Sequence, residues 1–350
     1  MSTLVQNFLG TQPLILWIVL GLIGFGITWK GANVVEESTS QISDRLGLSQ
    51  AIQGGIIAAV ATSFPELAIV VLSVVFIGEF GVGAGALIGT AIFNLLVIPS
   101  LVTIITGDTH TNKGIVYRDS VFYIVSILAF FLVLALGTIP SEGITQTTIS
   151  PQLGFGLLTI YLAYVGLLFT KQSPAESISK DKSVNLLKQI GLMAGSLFVV
   201  LVGVELMLAM TLEIASAVNA PPFLISISIL SILSSFPDLL VGIRMGEDNE
   251  RKAAISNVFG TNTFNFLVVL PVGAIIAGGV TLGFASVVPL IIFLFYSTLF
   301  VLLLAATDFE ITQPEAYMLL ILYILFLVWM ATESFEFTNL LADDSIEALF

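Results

Sequence analysis

Ten apolar runs punctuate this sequence, and each is long enough to cross ~30 Å of hydrocarbon as a helix, which takes about 20 residues. They fall near 13–29, 52–77, 83–105, 119–139, 151–170, 189–212, 222–243, 253–277, 280–306 and 314–332. Inside lipid every backbone N–H and C=O must find a partner within the protein, so spans of this length are read as helices. Only 10% of residues are charged and 57% are hydrophobic, whereas a soluble domain carries about a quarter charged residues. The expectation is an all-α polytopic protein of the cell membrane. Residues 1–12 contain no Lys or Arg and no small-residue cleavage pattern follows the first run, so that run is read as a permanent helix rather than a removed signal.

The basic residues orient the helices, because cytoplasmic loops retain an excess of Lys and Arg. Lys30 and Arg45 follow the first run, Lys113 and Arg118 the third, Lys171, Lys180, Lys182 and Lys188 the fifth, and Arg244, Arg251 and Lys252 the seventh. Even-numbered loops and both ends of the chain have none. This alternation supports ten spans with the odd loops cytoplasmic and the N- and C-termini outside. The net charge of −13 owes part of its size to Glu333, Glu336, Asp343, Asp344 and Glu347 near the C-terminus, an acidic stretch that suits a solvated tail, a partner-binding tail or a cation-gathering one. With no cysteine, disulfide frameworks, thiolate metal sites and cysteine nucleophiles are excluded.

One apolar run contains Ala61-Thr62-Ser63-Phe64-Pro65-Glu66-Leu67, and another contains Ser234-Ser235-Phe236-Pro237-Asp238-Leu239. The two align without a gap at an offset of 172, and Gly89-Thr90-Ala91-Ile92-Phe93-Asn94 aligns with Gly260-Thr261-Asn262-Thr263-Phe264-Asn265 at an offset of 171. An internal duplication explains both. Each half holds five spans, an odd number, so the second copy enters the membrane inverted, as in many secondary transporters. The expected organisation is a first five-helix repeat over 1–172 with its motif at 54–99, a short cytoplasmic linker over 173–188, a second repeat over 189–335 with its motif at 226–271, and an acidic tail over 336–350.

Three acids, Glu66, Asp238 and Glu205, sit well inside the spans. An ionisable group at that depth costs several kcal/mol unless paired or ligated, and no Lys or Arg shares the depth, so the missing partner is read as a mobile cation. Pro65 and Pro237 cannot donate to the carbonyls of Ala61 and Leu233, which frees those oxygens. Thr62 and Ser63 precede Glu66 by four and three residues, and Ser234 and Ser235 stand likewise before Asp238, on the same helical side. Thr90 with Asn94 and Thr261 with Asn265 lie one turn apart, each pair following a glycine that is expected to permit close helix approach. Carboxylate, hydroxyl and bare carbonyl are hard oxygen ligands that suit Ca2+ and also Na+, and suit Mg2+ less because it resists dehydration.

These motif pairs resemble the two alpha-repeats of the cation/Ca2+ exchanger superfamily, in particular its sodium/calcium exchanger branch, whose patterns are G-T-S-x-P-E/D and G-S-N-x-F-N/D. The resemblance extends over essentially all ten spans. It implies a ten-helix inverted-repeat antiporter trading Na+ for Ca2+ by alternating access. It makes Glu66 and Asp238 shared Ca2+ and Na+ carboxylates, gives Thr62 and Ser234 a part in the Ca2+ site, makes Ser63, Ser235, Thr90 and Thr261 Na+ ligands, and has Asn94 and Asn265 close the middle. This chain departs from the pattern at Ala61, Leu233, Ala86 and Ala91, and Asn94 and Asn265 are both neutral, leaving two formal negative charges.

The implied partners are Ca2+, Na+ and the bilayer, with H+ an alternative coupling ion, no cofactor and no nucleic acid; the oligomeric state is open. A passive channel and an intramembrane carboxylate-pair enzyme are the competing classes, the latter disfavoured because no H-E-x-x-H motif accompanies the acids. Glu205 aligns with Asn33 rather than with an acid, so it is read as structural or as part of ion entry. His110, the only histidine, is read as a surface residue of a cytoplasmic loop.

Overall fold

The computed structural model describes residues 2–46, 61–141, 144–170, 185–248, 250–338 and 340–341. Its helices are α1 (Leu4–Leu9), α2 (Leu14–Leu46), α3 (Phe64–Leu72), α4 (Phe80–Thr106), α5 (Ser120–Leu136), α6 (Pro151–Thr170), α7 (Leu186–Val218), α8 (Pro222–Ile225), α9 (Ser231–Glu247), α10 (Arg251–Phe264), α11 (Leu270–Ile276), α12 (Phe284–Ala306) and α13 (Gln313–Ser334). Short π-helical stretches extend α3 at Ser73–Ile77, lead into α5 at Ile115–Asp119, link α8 to α9 at Ser226–Leu230 and link α10 to α11 at Asn265–Val269. Eight helical segments among the described residues are long and apolar enough to cross a membrane, and two shorter apolar helices, Phe64–Ile77 and Pro151–Leu167, lie where the second and fifth spans are expected. Residues 52–60 of the expected second span lie outside the described residues.

α4 is the centre of the molecule. It is nearly all buried, including both small and large residues from Phe80 to Thr103, and it packs against α9, α10, α12 and α13. Such a helix is apolar all round because it meets protein on every side. The two 33-residue helices α2 and α7 pair with one another along their length. Glycines set this contact: a Cβ on Gly203 would collide with Thr28 Oγ1 and the Gly24 carbonyl, and one on Gly24 with the Gly203 carbonyl. Small residues let backbones touch where lipid offers no hydrophobic drive. Phe25 of α2 meets Phe236 of α9 edge to face at 5.5 Å, seating the pair on the motif helices.

Short strands tie the loops together at the two ends. β1 (Thr109–His110) pairs with β5 (Glu310–Ile311), and nearby Arg251 donates to the carbonyls of Asp108 and Thr106. At the opposite end β2 (Thr138–Ser141), β3 (Ile144–Ile149) and β4 (Val280–Gly283) form one sheet in that order. Loops following the third, seventh and ninth expected spans therefore meet at one end, and those following the fourth and eighth at the other.

Glu205 has a structural partner. Its Oε1 accepts from the backbone N–H of Leu4 at 2.5 Å and of Val5 at 3.3 Å, while Glu213 accepts from Gln6 Nε2 at 2.6 Å. The acid of α7 thus satisfies two of the orphan amides at the start of α1. His110 lies 3.6 Å from Glu310 across the β1–β5 pair with its side chain mostly exposed, as a loop residue should. α2 runs past the expected first span to Leu46 and carries half-buried Glu36, whose charge interacts with those of Arg244 and Asp238.

Candidate ion-binding site

Pro65 breaks the chain where expected. Ser63 sits in a turn at the start of α3, with Pro65 in the first helical turn and Glu66 right behind it. Proline is tolerated there because its missing N–H would lack an intrahelical partner anyway. The second copy behaves differently: Pro237 lies inside a continuous α9, so only one of the two expected helix breaks forms. A π-helical stretch, Ser226–Leu230, precedes this helix, a feature often found at functional sites. A further consequence is that Thr62 ends the preceding helical stretch and Ser63 forms the turn before α3.

The structure brings the predicted residues of both halves together. Thr90 Oγ1 of α4 lies 3.1 Å from Ser234 Oγ of α9, and Asn94 Nδ2, one turn on, lies 3.3 Å from Asp238 Oδ2. α3 packs against α4 and against the stretch that begins at Asn265, and Glu66 is near enough to Asp238 for their charges to act on each other. Ser63, Glu66, Thr90, Asn94, Ser234, Ser235, Asp238, Thr261 and Asn265 are all buried, and Thr62 is half-buried beside them.

Gly89 explains how α4 and α9 come so close. A Cβ there would collide with the Ile227 carbonyl and approach Ser231 Oγ to 2.7 Å. Gly260, its counterpart in sequence, has nothing within 4 Å of where a Cβ would sit. The expectation that both glycines serve helix approach holds for the first half only, because α10 meets its neighbours on other faces.

Within this cluster many buried polar atoms have no hydrogen-bond partner: Ser63 Oγ, both oxygens of Glu66, Asn94 Oδ1, Ser235 Oγ, Thr261 Oγ1 and both amide atoms of Asn265. Orphaned polar groups are rare in folded proteins, and each costs about 1–3 kcal/mol. Here they are concentrated around two acids, and neither ion pair among the described residues, His110–Glu310 or Arg118–Asp119, reaches them. The donor set is mostly neutral oxygen with two carboxylates. No group of three or more His, Cys, Asp or Glu residues able to hold a metal occurs among the described residues. Few charged ligands mean moderate affinity for a divalent ion.

Asn262 is a contributor the sequence reading passed over. It is fully buried, accepts from Asn94 Nδ2 at 3.4 Å and donates to the Ala91 carbonyl at 3.0 Å, so it orients the amide that faces Asp238. Its signal was present in Gly260-Thr261-Asn262, where the first half has Ala91 at the aligned position. Asn262→Ala removes that support at a cost of about 1–3 kcal/mol for a buried polar group. The expected outcome is roughly tenfold weaker Ca2+ binding by calorimetry, with the protein still folded.

The sequence matches the family described as sodium/calcium exchanger protein over residues 15–170 and 188–332. CaxA of Alkalimonas amylolytica is 26% identical over 275 residues, 76% of this chain and 81% of CaxA. Among solved structures the fold is similar to the sodium–calcium exchanger NCX_Mj, with a TM-score of 0.63 at 21% identity, covering 90% of this chain and 99% of that one. It is also similar to the H+/Ca2+ exchanger CAX, with a TM-score of 0.69 at 16% identity, covering 99% of this chain and 93% of that one. Motif pairs, fold and family match agree that this multi-pass membrane protein belongs to the sodium/calcium exchanger family.

Proposed function

We propose that the chain is a secondary antiporter that exchanges Na+ for Ca2+ by alternating access, with the ions held between α3, α4, α9 and α10. The observation that carries this reading is the set of buried oxygens without partners around Glu66 and Asp238, a cage that a desolvated cation completes. Glu66 and Asp238 supply the charge, Thr62, Ser63, Thr90, Ser234, Ser235 and Thr261 supply hydroxyl or backbone oxygen, and Asn94 and Asn265 supply amide oxygen. The two halves, residues 1–172 and 189–335, act as inverted five-helix repeats with both termini outside. Support comes from the loops, since those expected on one side pair only with one another at each end.

Exchange follows from charge. Two carboxylates in a low-dielectric site repel each other and lack hydration, and one Ca2+ or two monovalent ions balance them. A protein that interconverts its two faces only when this site is neutralised cannot return empty, so the ions must trade. H+ in place of Na+ is the second reading. It is favoured by the neutral Asn94 and Asn265, which leave a charge that two protons on Glu66 and Asp238 would also cancel.

Proteoliposomes test both. Vesicles loaded with Na+, with K+, or with an inward-acid pH gradient are compared for 45Ca2+ uptake, with Asp238→Asn as the blank. Uptake driven by the Na+ gradient and absent with K+ is expected. Uptake driven by the pH gradient alone would replace Na+ with H+, and uptake that needs no opposing gradient would end the antiport reading.

A further inference from the structure

We propose that the C-terminal segment is a tethered plug, with Leu341 seated in the external mouth of the ion route; this rests on the orientation and antiport reading above.

A cleft of about 660 Å³ opens at the end of the molecule where α3, α4 and α8 terminate, and its wall includes Val74, Phe80, Ala220, Phe223 and Leu341. Three of these residues lie on the helical runs that carry the candidate ligands. Val74 is eight residues beyond Glu66, Phe80 ten before Thr90 and Phe223 eleven before Ser234. At 1.5 Å per residue each lies roughly 12–17 Å along its helix from the site. The cleft therefore lies at the ends of three helical runs that carry candidate ligands deeper in the molecule. Partial burial of the cleft-lining Glu79 raises its carboxyl above the usual range.

The tail is fastened into this cleft. After α13 the chain reverses through Glu336, whose φ is +58°, and Glu333 then gathers the returning backbone. Its Oε1 accepts from Leu340 N at 2.9 Å and from Trp329 Nε1 at 3.1 Å, and its Oε2 accepts from Leu341 N at 3.2 Å. Glu333 is itself buried, so the clamp is built rather than incidental. Phe337 and Leu340, which precede it, are 81% and 66% exposed, yet Leu341 is only 5% exposed. The segment spends its fastening on placing one leucine in the cleft. Asp343, Asp344 and Glu347 follow it in sequence within six residues.

The absence of cysteine makes a single introduced thiol a clean reporter. Ala220→Cys, on the buried cleft wall, is labelled from outside right-side-out cells with a membrane-impermeant methanethiosulfonate. Leu341→Asp, and separately truncation after Thr338, are expected to speed labelling about tenfold by shifting a closed mouth to an open one, and to raise initial Ca2+ uptake at subsaturating Ca2+. Unchanged labelling in both variants overturns the plug. Faster labelling with unchanged uptake in a transporting protein overturns its place on the ion route. Faster labelling in a protein with no cation-driven Ca2+ uptake sinks the antiport reading while leaving the plug standing.

Discussion

Glu66→Gln is expected to abolish cation-driven Ca2+ uptake while leaving the protein folded. Both carboxylate oxygens of Glu66 are buried without a hydrogen-bond partner, and no ion pair among the described residues supplies a counter-charge. Removing one charged partner from a desolvated cluster costs about 3–5 kcal/mol, or roughly 10²–10³-fold in ion occupancy. Uptake in proteoliposomes should fall to the level of Asp238→Asn. Stability should move the other way: with no ions present, the neutral isostere relieves an uncompensated buried charge, so the thermal midpoint should hold or rise. On the proposed reading Ca2+ stabilises the native protein by binding only its folded state, and in Glu66→Gln that stabilisation should disappear. Retained Na+-driven Ca2+ uptake in Glu66→Gln would take this residue out of the ion cage.

Gly89→Leu should be nearly as damaging, for a steric reason. A side chain there collides with the Ile227 carbonyl and crowds Ser231, which are backbone and near-backbone atoms of a neighbouring helix and have no rotamer into which to retreat. α4 must move away from α9, separating Thr90 from Ser234 and Asn94 from Asp238, contacts of 3.1 and 3.3 Å. Overpacking of this kind costs about 1–3 kcal/mol in stability, and a shift of an ångström in ligand positions removes an ion site. Loss of Ca2+ binding by calorimetry with a lowered thermal midpoint is expected. Gly260→Ala, at the aligned position, meets open space and should leave binding intact; equal damage from both substitutions would show that the asymmetry is unimportant.

The candidate site was legible in the sequence because its chemistry is expensive. A carboxylate, hydroxyls and a proline inside an apolar run stand out against lipid-facing residues, and the pattern recurs at offsets of 172 and 171. The helices were legible for the same reason, since lipid leaves backbone no other solution. Asn262 was missed because one asparagine among small polar residues is as often a helix bridge as a ligand support, and the aligned Ala91 offered no echo. Glu205 was undecidable in sequence because its partners, the amides of Leu4 and Val5, lie 201 and 200 residues away and belong to backbone, which carries no side-chain signature.

The sequence by itself determined that helices form, where the acids fall, and that the two halves share a plan. Tertiary structure decided how that plan was used unequally: Pro65 opens a new helix while Pro237 rides inside one, and Gly89 touches a neighbour while Gly260 touches none. The physical reason is that a recurring motif carries only its residues and their local preferences. Which face of each helix meets protein is set by all the other helices together, and these are not duplicates of one another at the contacts.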